Sequence, residues 1–147
     1  MNNQNISIVV DAMGGENSPY KTLKGSEIFQ NNKKSINLIF TGNEDLIKAT
    51  IQKKKINLFN YKIINTSDNI EDHDDVSTII RNRKDNSIKK GLELIKNNPS
   101  YGFVSAGNTV AIMTLSKILL GMIEGIDRPA ICSIIPNDKD FSIMLDL

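Results

Sequence analysis

Ile6-Ser7-Ile8-Val9-Val10-Asp11-Ala12-Met13-Gly14-Gly15 is the stretch on which the reading of this chain turns. A short β-branched run stops at Asp11 and gives way to the turn-formers Gly14, Gly15, Asn17, Ser18 and Pro19. That pattern is a buried strand emptying into a glycine-rich loop. A strand that is apolar almost without alternation is covered on both faces, as in a parallel sheet flanked by helices. Pro19 suits a first helical position with Ser18 as its cap. The helix that follows carries only a loose stripe of Tyr20, Leu23, Glu27 and Phe29.

Working outward, the same unit repeats. Ile36 to Thr41 reads as a second strand, and Asn43 caps a helix with Leu46, Ile47, Thr50 and Ile51 on one side. Tyr61 to Asn65 is a third strand, and Thr66 to Asp75 a polar, acidic loop. A short helix is expected near Val76 to Arg83. A longer one follows Asn86, with Ile88, Leu92 and Ile95 on one face and Pro99 as its stop. Phe103-Val104-Ser105 closes another strand, and Ala106-Gly107-Asn108-Thr109 turns into a helix reaching about Leu120. That helix is apolar nearly all round, so burial on several sides is expected. Ile131 to Ile135 and Phe141 to Leu147 supply two further strands. Strands alternating with helices give an α/β fold with a mostly parallel sheet.

Composition narrows the function. The 147 residues hold 18 Lys and Arg against 17 Asp and Glu, so the +1 charge speaks against a nucleic-acid binder. The first thirty residues lack a basic start followed by an apolar run, so no secretory signal is visible, and no stretch nears the ~18 apolar residues of a membrane span. The one cysteine, Cys132, allows no internal disulfide and lies in an apolar strand, where a buried inert thiol is expected. With one histidine, His73, set among Glu71, Asp72, Asp74 and Asp75, neither a zinc site nor a serine or cysteine relay is in sight.

Chemistry concentrates in three turns after strands, where open α/β sheets bind their ligands. Gly14 and Gly15 let backbone approach a ligand and can turn amides toward an anion; a plain tight turn is the alternative. Neither a dinucleotide fingerprint nor a P-loop is present. At Ser105-Ala106-Gly107-Asn108-Thr109, a helix start offers amides and a positive dipole end to phosphate, or Asn108 and Thr109 are ordinary caps. At Arg81-Asn82-Arg83-Lys84-Asp85-Asn86-Ser87, Lys84 can neutralise a phosphate, or the charges are simply solvated. With no nucleophile of its own in evidence, the protein would position a substrate that attacks and stabilise the charge that develops.

These stretches resemble one family. Val10-Asp11-Ala12-Met13-Gly14-Gly15 with Pro19 is similar to its opening D-A-M-G-G-D…P motif, and Arg81-x-Arg83-Lys84-Asp85-Asn86-Ser87 to its R-x-K-K-D-S-S block. Ser105-Ala106-Gly107-Asn108-Thr109 with Ala111 resembles S-A-G-N-T-G-A, and Gly125-Ile126-Asp127-Arg128-Pro129-Ala130 matches G-I-D-R-P-A outright. The family is the PlsX-type phosphate acyltransferase of bacterial phospholipid synthesis. The resemblance implies attack of inorganic phosphate on the thioester of a long-chain acyl-acyl carrier protein, giving acyl phosphate for a membrane glycerol-3-phosphate acyltransferase. It further implies a three-layer α/β sandwich like those of isocitrate dehydrogenases and phosphotransacetylases, a homodimer, a cytoplasmic enzyme loosely held at the membrane, and no cofactor.

Combined with the turn chemistry, the resemblance assigns Asn108 and Lys84 to catalysis and Asp11, Gly14, Gly15, Ser87, Ser105, Gly107 and Thr109 to phosphate or substrate binding. Asp11 alternatively orients its turn without touching substrate. Lys33, Lys34 and Lys53-Lys54-Lys55 are candidate contacts for the acidic carrier, or solvated surface. The chain departs from the family at Glu16 for Asp, Asn86 for Ser and Val110 for Gly, and the family continues beyond Leu145-Asp146-Leu147. Residues 1–147 are thus expected to be the N-terminal portion of one acyltransferase fold, inactive alone. The rival readings are phosphotransacetylase-like exchange between phosphate and coenzyme A, and an inactive fragment that binds the carrier or a partner.

Overall fold

A computed structural model describes residues 6–68, 70, 74–81 and 85–145. Four strands form one parallel sheet: β1 (Ser7–Asp11), β2 (Asn37–Gly42), β3 (Tyr61–Asn65) and β4 (Gly102–Val104), in the order β3-β2-β1-β4. Helices α1 (Tyr20–Asn32) and α2 (Glu44–Lys54) carry the chain outward from β1 to β3. Helices α3 (Val76–Arg81) and α4 (Ser87–Asn97) then return it to β4 on the other side of β1, and α5 (Thr109–Leu120) follows. The direction of winding therefore reverses between β1 and β4. That is the topological switch point, and the two glycine turns Met13-Gly14-Gly15 and Ala106-Gly107 leave the sheet on either side of it.

The core divides by strand alternation. Val10, Leu38 and Phe40 face α1 and α2, meeting Leu23 and Ile47, both fully buried. Ile79, Ile88, Leu92, Ala111 and Leu115 tie α3, α4 and α5 together in a second cluster that includes Phe103 of β4. The result is three layers, helices on both faces of the parallel sheet, as the apolar strands imply. The Asn caps behave as expected: Asn43, Asn86 and Asn108 each accept, through Oδ1, the backbone N–H three residues on, at 2.8–2.9 Å. In α4, Gly91 leaves the notch into which the Phe103 ring sinks, a place with no room for a Cβ.

Several expectations need correction. Ser18 does not cap α1; the flanking residue Pro19 has no side-chain cap, and the Ser18 hydroxyl lies against the carbonyls of Gly14 (2.6 Å) and Gly15 (2.5 Å). It braces the glycine turn instead. Helix α5 is not buried on several sides: only Ala111 and Leu115 are buried, while Val110 and Ile118 are more than half exposed. The last two strands, β5 (Cys132–Pro136) and β6 (Phe141–Leu145), pair antiparallel with each other and, among the described residues, lie outside the parallel sheet. Asn137 closes their turn by accepting the N–H groups of Lys139 and Asp140. Among the described residues no layer covers this two-stranded ribbon, and Cys132 is exposed rather than buried.

Polar groups also sit in the core of α1. Its buried face is Leu23, Ser26, Glu27 and Gln30, a proper i, i+3, i+4, i+7 stripe whose polar members hide it from a hydrophobicity count. Glu27 accepts the Asn57 N–H at 2.7 Å, and Gln30 both accepts from the Phe59 N–H and donates to the Phe59 carbonyl. Together they staple the segment leading into β3. The Lys24 ammonium, then the Asn57 N–H, holds the Glu27 carboxyl below its ordinary value. A carboxylate lowered in this way stabilises the fold above its unfolded-state pKa and loses that contribution as pH falls through the lowered one. Wild-type melting temperature should therefore fall more steeply from about pH 5 to pH 3 than that of Glu27→Gln, which melts lower at pH 7. Parallel pH profiles of the two proteins would refute the staple's charge dependence.

Candidate functional site

The chemistry-bearing turns meet at the switch point, and Asp11 is what joins them. This last residue of β1 is 1% exposed. Its Oδ1 accepts the N–H groups of Met13 (3.0 Å) and Gly14 (3.1 Å), which curls the first turn back over the strand end. Its Oδ2 accepts the hydroxyl of Ser105 at 2.6 Å, across 94 residues of chain. Ser105 Oγ in turn accepts the Gly107 N–H at 3.0 Å. One carboxylate thus orders both turns, with neutral donors and no cation among those bonds.

The glycines are required by this closeness. A Cβ on Gly14 would stand 2.5 Å from Asp11 Oδ2 and 2.6 Å from the Gly107 nitrogen. Gly15 has φ +85° and abuts the Ala106 carbonyl, so a side chain there meets both strain and a neighbour. The backbones of the two turns pack glycine against glycine.

Beside this contact lies a pocket of about 360 Å³ lined by Asp11, Met13, Gly14, Gly15, Glu16, Ile70, Ser87, Ile88, Gly107 and Asn108. Ser87 is the first residue of α4 and Asn108 the cap of α5, so two helices of 11 and 12 residues start at its wall. Helix N-termini present amides and a partial positive charge, which suits an anion. The Asn108 Oδ1 accepts the Ala111 N–H at 2.9 Å and so caps α5 at this wall. Among the described residues no Lys or Arg lines the pocket, and the wall's Glu16 carboxylate stands 3.8 Å from the Lys21 ammonium.

Of the residues singled out from sequence, Asp11, Gly14, Gly15, Ser87, Gly107 and Asn108 come together here. Ser105 instead lines a neighbouring cavity while holding Asp11. Thr109 is exposed and is not part of the wall. Lys84, His73 and Asp146 lie outside the described residues. The Gly125–Ala130 motif forms a largely exposed loop after α5, also away from the wall. Sequence reasoning missed Ile70 and Ile88 as lining residues, and missed the strap that seats α4. In that strap Asp85 Oδ2 accepts the N–H and hydroxyl of Ser67, and Asp68 Oδ2 accepts the Asp85 N–H. The only signal for it was the polar character of both segments.

Residues 6–147 match the family-wide profile described as fatty acid synthesis protein. The phosphate acyltransferase of Alkaliphilus oremlandii (strain OhILAs) is 36% identical over 141 residues, covering 96% of this chain and 42% of that protein. That of Wolbachia pipientis subsp. Culex pipiens (strain wPip) is 36% identical over 149 residues, covering 99% and 43%. That of Clostridioides difficile (strain 630) is 35% identical over 134 residues, covering 91% and 39%. The chain spans about two fifths of the length of these curated relatives. With the profile matched along nearly all of its residues, the chain belongs to the fatty acid synthesis protein family, in the company of relatives named phosphate acyltransferase.

Proposed function

We propose that the pocket at the switch point binds inorganic phosphate, and that the whole protein transfers a long-chain acyl group to it from the thioester of an acyl carrier protein. Residues 1–147 are, on this reading, the N-terminal portion of a single acyltransferase fold. The observation that carries it is the clasp itself: Asp11 holds two glycine turns together where α4 and α5 both begin. Backbone amides and helix termini suit a dianion that must be held without being consumed by a strong ion pair. The relatives' name, phosphate acyltransferase, supports the same substrate.

The reaction needs no nucleophile from the protein. A phosphate oxygen attacks the thioester carbonyl, a C–O bond forms as the C–S bond breaks, and the carrier leaves as thiolate and then takes up a proton. What the chain contributes is position and charge stabilisation. Gly14, Gly15 and Gly107 allow the backbone to reach the phosphate, and Ser87 and Asn108 are its polar contributors at the two helix starts. Asp11 and Ser105 act through the turns they hold, and Thr109 carries the first turn of α5. Lys84 supplies positive charge to the developing anion.

The same reading takes the acyl carrier protein as donor, a homodimer as the working form, and a membrane glycerol-3-phosphate acyltransferase as consumer of the acyl phosphate. It places the enzyme in the cytoplasm, at the inner face of the membrane. Among the described residues no helix is long and apolar enough to cross a membrane.

Two outcomes test the site. Incubated with acyl-carrier thioester and labelled phosphate, the whole protein should release labelled acyl phosphate, and Asn108→Ser, which keeps a capping oxygen, should cut turnover at least about tenfold while shifting stability by only a few tenths of a kcal/mol. Equal losses in both would reduce Asn108 to a cap. Asp11→Asn turns a donor toward the Met13 and Gly14 N–H groups or the Ser105 hydroxyl, so denaturant unfolding should show a loss of about 1–3 kcal/mol, with phosphate affinity falling as well. An unchanged phosphate affinity would detach the clasp from the site.

A further inference from the structure

A second cavity, also of about 360 Å³, lies between α1 and the β1–β4 side of the sheet. Ile8, Val10, Phe29, Leu38 and Val104 give it an apolar lining. Lys21, Thr22 and Ser26 also line it from α1, and the Ser26 hydroxyl is turned back onto the Thr22 carbonyl at 2.8 Å. We infer that this groove seats the hydrocarbon tail of an acyl substrate whose phosphate end occupies the pocket at the switch point. The inference rests on the reading of that pocket given above.

The wall that the two cavities share carries it. Asp11 lines both. Ser105 and Ala106 line the groove, while the next two residues, Gly107 and Asn108, line the polar pocket. Three peptide steps of at most ~3.6 Å each separate them, about 10 Å in all, a span that a long-chain acyl group exceeds. Gly15 of the polar pocket abuts Ala106 of the groove, with no side chain on Gly15 to stand between them. A polar chamber and an apolar one sharing a wall match an amphiphile with a charged head and an alkyl tail. Inorganic phosphate alone would have no use for the second chamber.

Gly25 provides the means of testing this. It lines the groove from α1, and a Cβ built there meets nothing within 4 Å. Gly25→Phe should fill the groove with little cost to the backbone, and Gly25→Ala serves as its control. This chain is titrated with inorganic phosphate, butyl phosphate and octyl phosphate below their micellar concentrations, with isotope-labelled Ile and Val methyl groups observed by NMR. Octyl phosphate should displace inorganic phosphate and bind at least about tenfold tighter, a modest fraction of the gain available from burying its methylenes. The Ile8 and Val104 methyls should move with octyl phosphate and stay still with phosphate. Gly25→Phe should abolish the chain-length gain and leave phosphate affinity unchanged, whereas Gly25→Ala behaves like wild type.

Phosphate binding without a chain-length gain overturns the tail seat and leaves the anion pocket standing. A gain with the Ile8 methyl unmoved places the tail on another surface and overturns it too. Octyl glucoside moving the same methyls at the same concentration as octyl phosphate shows an apolar seat with no link to the anion pocket, again against the inference. Failure of phosphate and both alkyl phosphates to bind defeats the underlying reading, and the tail seat with it.

Discussion

A single buried carboxylate at the end of β1 sets the geometry on which everything else depends. Asp11 stands at 1% exposure with three donors on its two oxygens, two from its own turn and one from Ser105. Removing one partner of such a group would leave the rest buried and unmatched, which is costlier than the bonds themselves are favourable. The parallel sheet brings β1 and β4 side by side, but only to the spacing of strands. The carboxylate draws the two loops beyond the strand ends closer, until Gly14 and Gly107 touch, and the mouth of the pocket is whatever that contact leaves open.

The parts of this arrangement that are local in sequence were legible there. Apolar runs marked β1, β2 and β3, and Asn43, Asn86 and Asn108 announced the helices they cap, because a cap is settled within three residues. The glycine turns were visible as turns, and their relation to a switch point followed from the alternation of strands and helices. What joined them was not legible: nothing near Asp11 or Ser105 signals a partner 94 residues away. The strap of Ser67, Asp68 and Asp85 was hidden for the same reason. The stripe of α1 was obscured differently, since Glu27 and Gln30 occupy core-facing positions and are satisfied by the backbone of residues 57–59.

The last third of the chain shows where periodicity reaches its limit. Apolar strands announce that they will pair, but not with whom, so β5 and β6 were recognised while their antiparallel pairing outside the main sheet was not. The all-round apolar character of α5 pointed to neighbours on several sides, and the described residues supply them on one. The curated relatives that this chain matches run to more than twice its length.

The notch at Gly91 gives α4 a fixed depth. With the Phe103 ring sunk where a side chain would otherwise stand, the helix rests on β4 at one height only. Ser87 lies four residues earlier, about one turn or 6 Å up the same rigid rod, at the wall of the anion pocket. The breadth of that pocket is thus gauged from behind, by how far an aromatic ring is let into a helix. A family member could widen or narrow its anion seat by altering that rear contact, leaving every residue that faces the ligand untouched.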